Sequence, residues 1–140
     1  GQLKRQFMLA VGLADAGKAD RAIEHFRLAQ RLDPQSPFTK NALAWLLATR
    51  VKASQQDLDE ALQLAQEAAE ATKFSHPQLL DTLAAVFAAN GQYDKAVAIA
   101  QRAIQIAQRA GNAEVVAKIK SRLTLYRDDQ PYHLPANEQN

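Results

Sequence analysis

The chain has 140 residues, 47% of them hydrophobic and 23% charged, with a formal net charge of +2. That suffices for one domain with its own core, and no uninterrupted apolar run approaches the roughly 20 residues of a bilayer span. The absence of cysteine excludes a disulfide framework, a thiolate zinc site and a cysteine nucleophile, while leaving the compartment open between cytoplasm and periplasm.

Apolar spacing is helical nearly throughout and the period-two alternation of strands is missing, so the chain reads as all-α. The chain opens "GQLKRQ", without the methionine a complete protein would begin with, which fits a piece of a longer protein, and its first helix ends at "DAGKAD" (15–20). The second runs to "DPQSP" (33–37), where Pro34 stops it and Pro37 suits the first turn of the third. That third helix carries the only tryptophan, Trp45, in "NALAWLLAT", and reads as lengthened ahead of the break "KASQQD" (52–57). Asp57 followed by Glu60 is expected to cap the fourth helix. Further breaks at "FSHP" (74–77), "NGQYD" (90–94) and "AGN" (110–112) bring the count to seven helices. Gly17, Gly91 and Gly111 stand where a helix ends in the left-handed conformation. In the last helix Val115 or Val116, Ile119, Leu123 and Tyr126 share one stripe, with Lys118, Lys120, Arg122 and Arg127 off it. A tail, 129–140, follows with two prolines, Tyr132 and Leu134.

Charge is segregated along the chain. Between 57 and 94 seven acidic residues face only Lys73, and between 95 and 127 seven basic residues face only Glu114. The plain reading is solvated helix faces; a basic face for an acidic partner, or head-to-tail self-association, is the other.

Internal repetition is stronger than any single motif. "LAVGLADAGKADRAIEHFRLAQRLDP" from Leu9 aligns with "LAAVFAANGQYDKAVAIAQRAIQIAQ" from Leu83. Ala10, Ala22 and Ala29 recur as Ala84, Ala96 and Ala103, and as Ala44, Ala61 and Ala68 once five extra residues are allowed before Leu58. Alanine is 28 of 140 residues, too few for nine coincidences to arise readily by chance, and small residues are what close helix packing requires.

With Leu9, Ala10, Leu13, Gly17, Ala22, Phe26, Ala29 and Pro34 in place, the first unit resembles a tetratricopeptide repeat. A second and third unit keep Leu43, Ala44, Leu47, Ala61 and Ala68, and Leu80, Leu83, Ala84, Phe87, Gly91, Tyr93, Ala96 and Ala103. The resemblance implies a right-handed superhelical array of antiparallel helix pairs over 3–36, 37–76 and 77–110, with a capping helix at about 112–128. Ala100 replaces an aromatic in the third unit, whose second helix is expected to run long. The run "LAWLLAT" and the ending "SRLTLYRDDQPYH" are also similar to the C-terminal repeat regions of larger bacterial proteins, some with membrane-embedded enzymatic parts.

What the resemblance implies for function is a non-catalytic scaffold for a protein or peptide partner, bound in a concave groove along the first helix of each pair. Its groove positions fall on Lys4, Phe7, Val11 and Asp15 in the first helix, Phe38, Asn41, Trp45 and Thr49 in the third, and Gln78, Asp81 and Ala85 in the fifth. Phe7, Val11, Gln78 and Thr82 occupy places where a clamp for a chaperone's terminal carboxylate needs Lys, Asn and a basic pair, so that mode is not expected. The groove reads as aromatic on one side, small on the other and nearly uncharged, with Trp45 either an anchor for the ligand or a cover for the lengthened turn. The tail is expected to pack on its own last helix or a neighbouring molecule, or, more sharply, to place residues 131–135 in a groove.

No catalytic apparatus and no cofactor are expected. His25, His76 and His133 lack the spacing that sets two metal ligands on one face, and phosphate loops and a nucleophile elbow are missing. Nucleic-acid binding through the basic third would need interleaved aromatics, and Tyr126 lies on the apolar stripe, so that partner is disfavoured. The alternative function is a partner- or substrate-positioning part of a larger bacterial enzyme.

Overall fold

A computed structural model describes residues 1–135. Among them the chain forms seven helices and no strand, so the all-α expectation holds: α1 (Gln2–Asp15), α2 (Ala19–Leu32), α3 (Pro37–Thr49), α4 (Gln55–Ala71), α5 (Pro77–Ala89), α6 (Tyr93–Arg109) and α7 (Ala113–Arg127). Packing is between neighbours. α1 pairs with α2, α3 with α4, α5 with α6 and α6 with α7, while α3 lies beside α5 and α5 beside α7. This is the packing expected of a helical repeat array.

All nine repeated alanines are at most 1% exposed. A methyl is the largest group that lets two helix backbones approach closely, so each alanine sits where a pair, or two successive pairs, meet. Around them Phe26, Leu43, Leu47, Leu80, Leu83 and Tyr126 fill one continuous core. The stripe on α7 behaves as its spacing predicts, with Ile119, Leu123 and Tyr126 buried.

All the helices but α2 and α3 end by a single device. After α5, the Gln92 N–H donates to the Phe87 carbonyl (2.9 Å) and the Gly91 N–H to the Ala88 carbonyl (2.9 Å), with Gly91 at φ +75°. This six-to-one closure satisfies carbonyls that the helix leaves orphaned, and Gly17 and Gly111 repeat it after α1 and α6. α7 ends in the same way, with Gln130 N–H on the Leu125 carbonyl (2.9 Å), but there the left-handed residue is Asp129 at φ +55°. Asp tolerates that region better than most residues, though not without strain.

Two expectations need correction in the middle unit. α3 has 13 residues, no more than α5, so it is not lengthened. The extra residues lie in the connection 50–54 and in the first turn of α4. The cap of α4 is Ser54 rather than Asp57: the Ser54 hydroxyl accepts from the Asp57 N–H (3.1 Å) while the Asp57 carboxylate accepts from the Ser54 N–H (3.0 Å). Two donors are satisfied reciprocally, with Asp57 as the second member of the box. α6 does run long, with 17 residues against 14 in α2. Of the expected tail, residues 136–140 lie outside those described.

Candidate functional site

On α3 the helical phase that buries Leu43, Ala44, Leu46, Leu47 and Ala48 leaves Asn41 and Trp45 half-buried on the side facing α5 and α7. α5 contributes Gln78, Asp81 and Thr82 to the same side, and α7 contributes Lys118, Ile119 and Arg122. Between the three helices lies an open cavity of about 340 Å³.

Arg122 organises this cavity. It pairs with Asp81 Oδ2 through Nη1, and the two side chains are only 17% and 13% exposed. Its guanidinium lies 4.8 Å from the centre of the Trp45 ring system and 4.9 Å from that of Tyr132. Those two rings are 5.5 Å apart at 28°, stacked. An aromatic pair contributes about 0.5–1.5 kcal/mol beyond the area it buries, and a cation over a partly desolvated ring a comparable amount. Burial pushes the Asp81 carboxyl up to about 6, against the pull of Arg122 and Lys118. Burial, and then the neighbouring Asp81 charge, push the fully buried Tyr126 phenol well above its ordinary range.

Two acceptors on this face have no hydrogen-bond partner among the described residues, Asn41 Oδ1 and Asp81 Oδ1. A buried acceptor left unpaired costs about 1–3 kcal/mol.

Tyr132 belongs to the tail, which turns back over the molecule. The strained turn at Asp129 redirects the chain out of α7, and residues 131–135 then run without regular structure. The Leu134 N–H donates to the Thr49 carbonyl at the end of α3 (2.8 Å). Tyr132 and Leu134 pack against the core while His133 stays exposed. Part of the tail thus lies in its own chain's groove, beside Trp45.

Of the positions the resemblance implied, Asn41, Trp45, Gln78 and Asp81 come together around the cavity. Thr49 and Ala85 are 0% and 1% exposed, and Thr49 contributes its backbone carbonyl while its hydroxyl donates to the Trp45 carbonyl (2.6 Å). Phe38 is half exposed and meets the His76 ring edge-on, away from the cavity. Lys4 and Phe7 line a separate, mostly apolar cavity of about 230 Å³ at the other end of the chain, with Leu3, Met8 and Thr39. Val11 is partly buried against the core and Asp15 is exposed. The expectation of a nearly uncharged groove is corrected: the Asp81–Arg122 pair stands in its wall, with Lys118 beside it. Sequence reasoning missed Lys118 and Arg122 as groove residues because they lie off the buried stripe. Their signal was the four-residue step that flanks Ile119 on one side of α7.

Among the described residues, no group of three or more His, Asp or Glu stands together as a metal site requires, and no helix is long and apolar enough to cross a membrane. Neither a family model nor a curated protein matches this chain.

Proposed function

We propose that the chain is a non-catalytic interaction module of the tetratricopeptide kind, and that the groove between α3, α5 and α7 binds an extended segment of a protein partner. The observation that carries this reading is the open cavity beside Trp45, lined by Asn41, Gln78, Asp81 and Arg122, with Tyr132 from the chain's own tail stacked on that tryptophan. An extended peptide presents backbone N–H groups to the polar side chains of this wall, and Trp45 offers a flat apolar surface on which an anchoring side chain rests as Tyr132 does.

The test is selection of random displayed peptides on the full chain, followed by calorimetric titration of those enriched. Peptides bearing an aromatic or bulky aliphatic anchor are expected. Trp45→Ala should weaken their binding at least tenfold, equivalent to about 1.4 kcal/mol, and Asn41→Ala should weaken it measurably. Selected peptides that bind the Trp45→Ala chain as tightly as the original would place the interaction elsewhere and end this reading.

A further inference from the structure

We propose that residues 131–135 are a built-in competitor for the groove and thereby a template of its external ligand: an extended, proline-bounded segment with tyrosine and leucine two residues apart. A partner bearing such a segment gains the site by displacing the tail. The inference rests on the groove reading above and names the ligand class.

The docked segment has the chemistry of a ligand. Pro131 fixes its own φ and Pro135 keeps Leu134 out of the helical region, and in a segment that runs extended, side chains two residues apart fall on one side. Tyr132 and Leu134 accordingly pack inward and His133 faces solvent. Recognition uses three separate contacts: the Tyr132 ring stacked on Trp45, the Arg122 guanidinium beside both rings, and the Leu134 N–H on the Thr49 carbonyl. That carbonyl belongs to the last turn of α3, where the helix itself provides no donor. Nothing in this set depends on the tail's being covalently attached.

The tail also leaves the site incomplete. Asn41, Trp45 and Thr49 follow one another along α3 at four-residue steps, each about 6 Å by helical rise. The tail engages Trp45 and Thr49, while the cavity lies between Trp45 and Asn41. It therefore takes one end of the groove and leaves the cavity beside Asn41 and Gln78 open at the other. An incoming segment that repeats the Tyr132 and Leu134 contacts and continues past Trp45 also fills the cavity that the tail leaves open. That surplus is how it overcomes the advantage of a tethered rival.

The advantage has a size. Only residues 128–130 separate α7 from the docked segment, and a short tether gives an effective concentration on the order of 1 mM. For a free peptide with a dissociation constant of about 100 μM, the same sequence held in cis would weaken apparent binding by roughly tenfold.

The experiment titrates a fluorescein-labelled peptide of residues 128–135, "DDQPYHLP", by fluorescence anisotropy against the full chain and against the full chain carrying Tyr132→Ala and Leu134→Ala. Saturable binding to the double variant, at least fivefold weaker binding to the unsubstituted chain, and loss of binding when Trp45→Ala is added to the double variant are expected. A peptide with alanine in place of its tyrosine and leucine should not bind. Circular dichroism checks that the double variant is folded, and Tyr132→Ala alone replaces it should it not be. Failure of the peptide to bind, or equal affinity for the two chains, overturns the inference. The peptides selected on the groove, titrated against the same double variant, then show whether the groove reading falls with it: their binding leaves that reading standing. A concentration-dependent dimer of the unsubstituted chain that the double variant cannot form would assign the segment to a second copy and equally overturn the partner assignment.

Discussion

Asp81 is a half-satisfied carboxylate in a nearly closed position, with one oxygen on Arg122 and the other unpaired among the described residues. Its folded value of about 6 stands above the ordinary 3.8. A raised carboxyl binds its proton more readily in the folded chain than in the unfolded one, so its contribution to stability is fully present below pH 3.8 and is lost as pH rises to about 6 and beyond. Urea midpoints measured between pH 3.5 and 7 should therefore decline with pH more steeply for the original chain than for Asp81→Asn, and coincident slopes would contradict this account. Arg50 supplies a contrast in ion pairing. It reaches Asp20 at 2.8 Å and Asp57 at 2.5 Å, tying α2 and α4 to the connection that follows α3. Arg50→Ala should cost about 1–2 kcal/mol in urea denaturation, since Asp57 is only 18% exposed. Lys118→Ala, which removes a pair with Glu114 whose members are 61% and 82% exposed, should fall within about 0.5 kcal/mol of the original.

Helix boundaries were legible to within a few residues because proline, glycine and capping residues act locally. Where two caps compete, local signals no longer decide. Ser54 with Asp57, and Asp57 with Glu60, both fit the reciprocal pattern, and Ser54 prevails in a structure where the Asp57 carboxylate also meets Arg50 and Glu60 is drawn to Arg27 (2.6 and 3.0 Å). Ser54→Ala should cost about 1 kcal/mol, read from the urea midpoint. Gly91 separates strain from crowding, because a Cβ there would meet nothing within 4 Å while φ is +75°. Gly91→Ala should therefore cost about 1–2 kcal/mol from the backbone alone. Ala44 represents the opposite case: it is fully buried at a helix contact, and Ala44→Leu should lose about 1–3 kcal/mol by overpacking, measured the same way.

Across the whole molecule, charges that look segregated along the chain are partly interleaved in space. Acidic residues of the middle meet basic ones from outside it, as in Arg27 with Glu60, Lys40 with Glu67 (3.3 Å), Arg50 with Asp57 and Arg122 with Asp81. The tail adds a connection of another kind, running from beyond α7 to the end of α3. Since Trp45 is the only tryptophan, its emission reports this contact directly. Tyr132→Ala with Leu134→Ala should shift native emission to longer wavelength by several nanometres with far-ultraviolet circular dichroism unchanged, whereas an unaltered spectrum would mean that the tail does not rest on Trp45.

What the sequence determined by itself was set by local chemistry and by repetition. Helical periodicity made the chain all-α, its breaks counted seven helices, and the recurrent alanines marked positions that must be small wherever helices meet. The expectation that residues 131–135 enter a groove followed from composition, but the choice of groove did not. Only the tertiary structure decided that Arg122 of α7, Asp81 of α5, Trp45 of α3 and Tyr132 of the tail form one cluster, because it joins positions up to 87 residues apart (45 to 132) that no local period relates. The turn at Asp129, the packing of α7 beside α5 and the end of α3 together bring the tail to Trp45, and each of those is a property of the folded array.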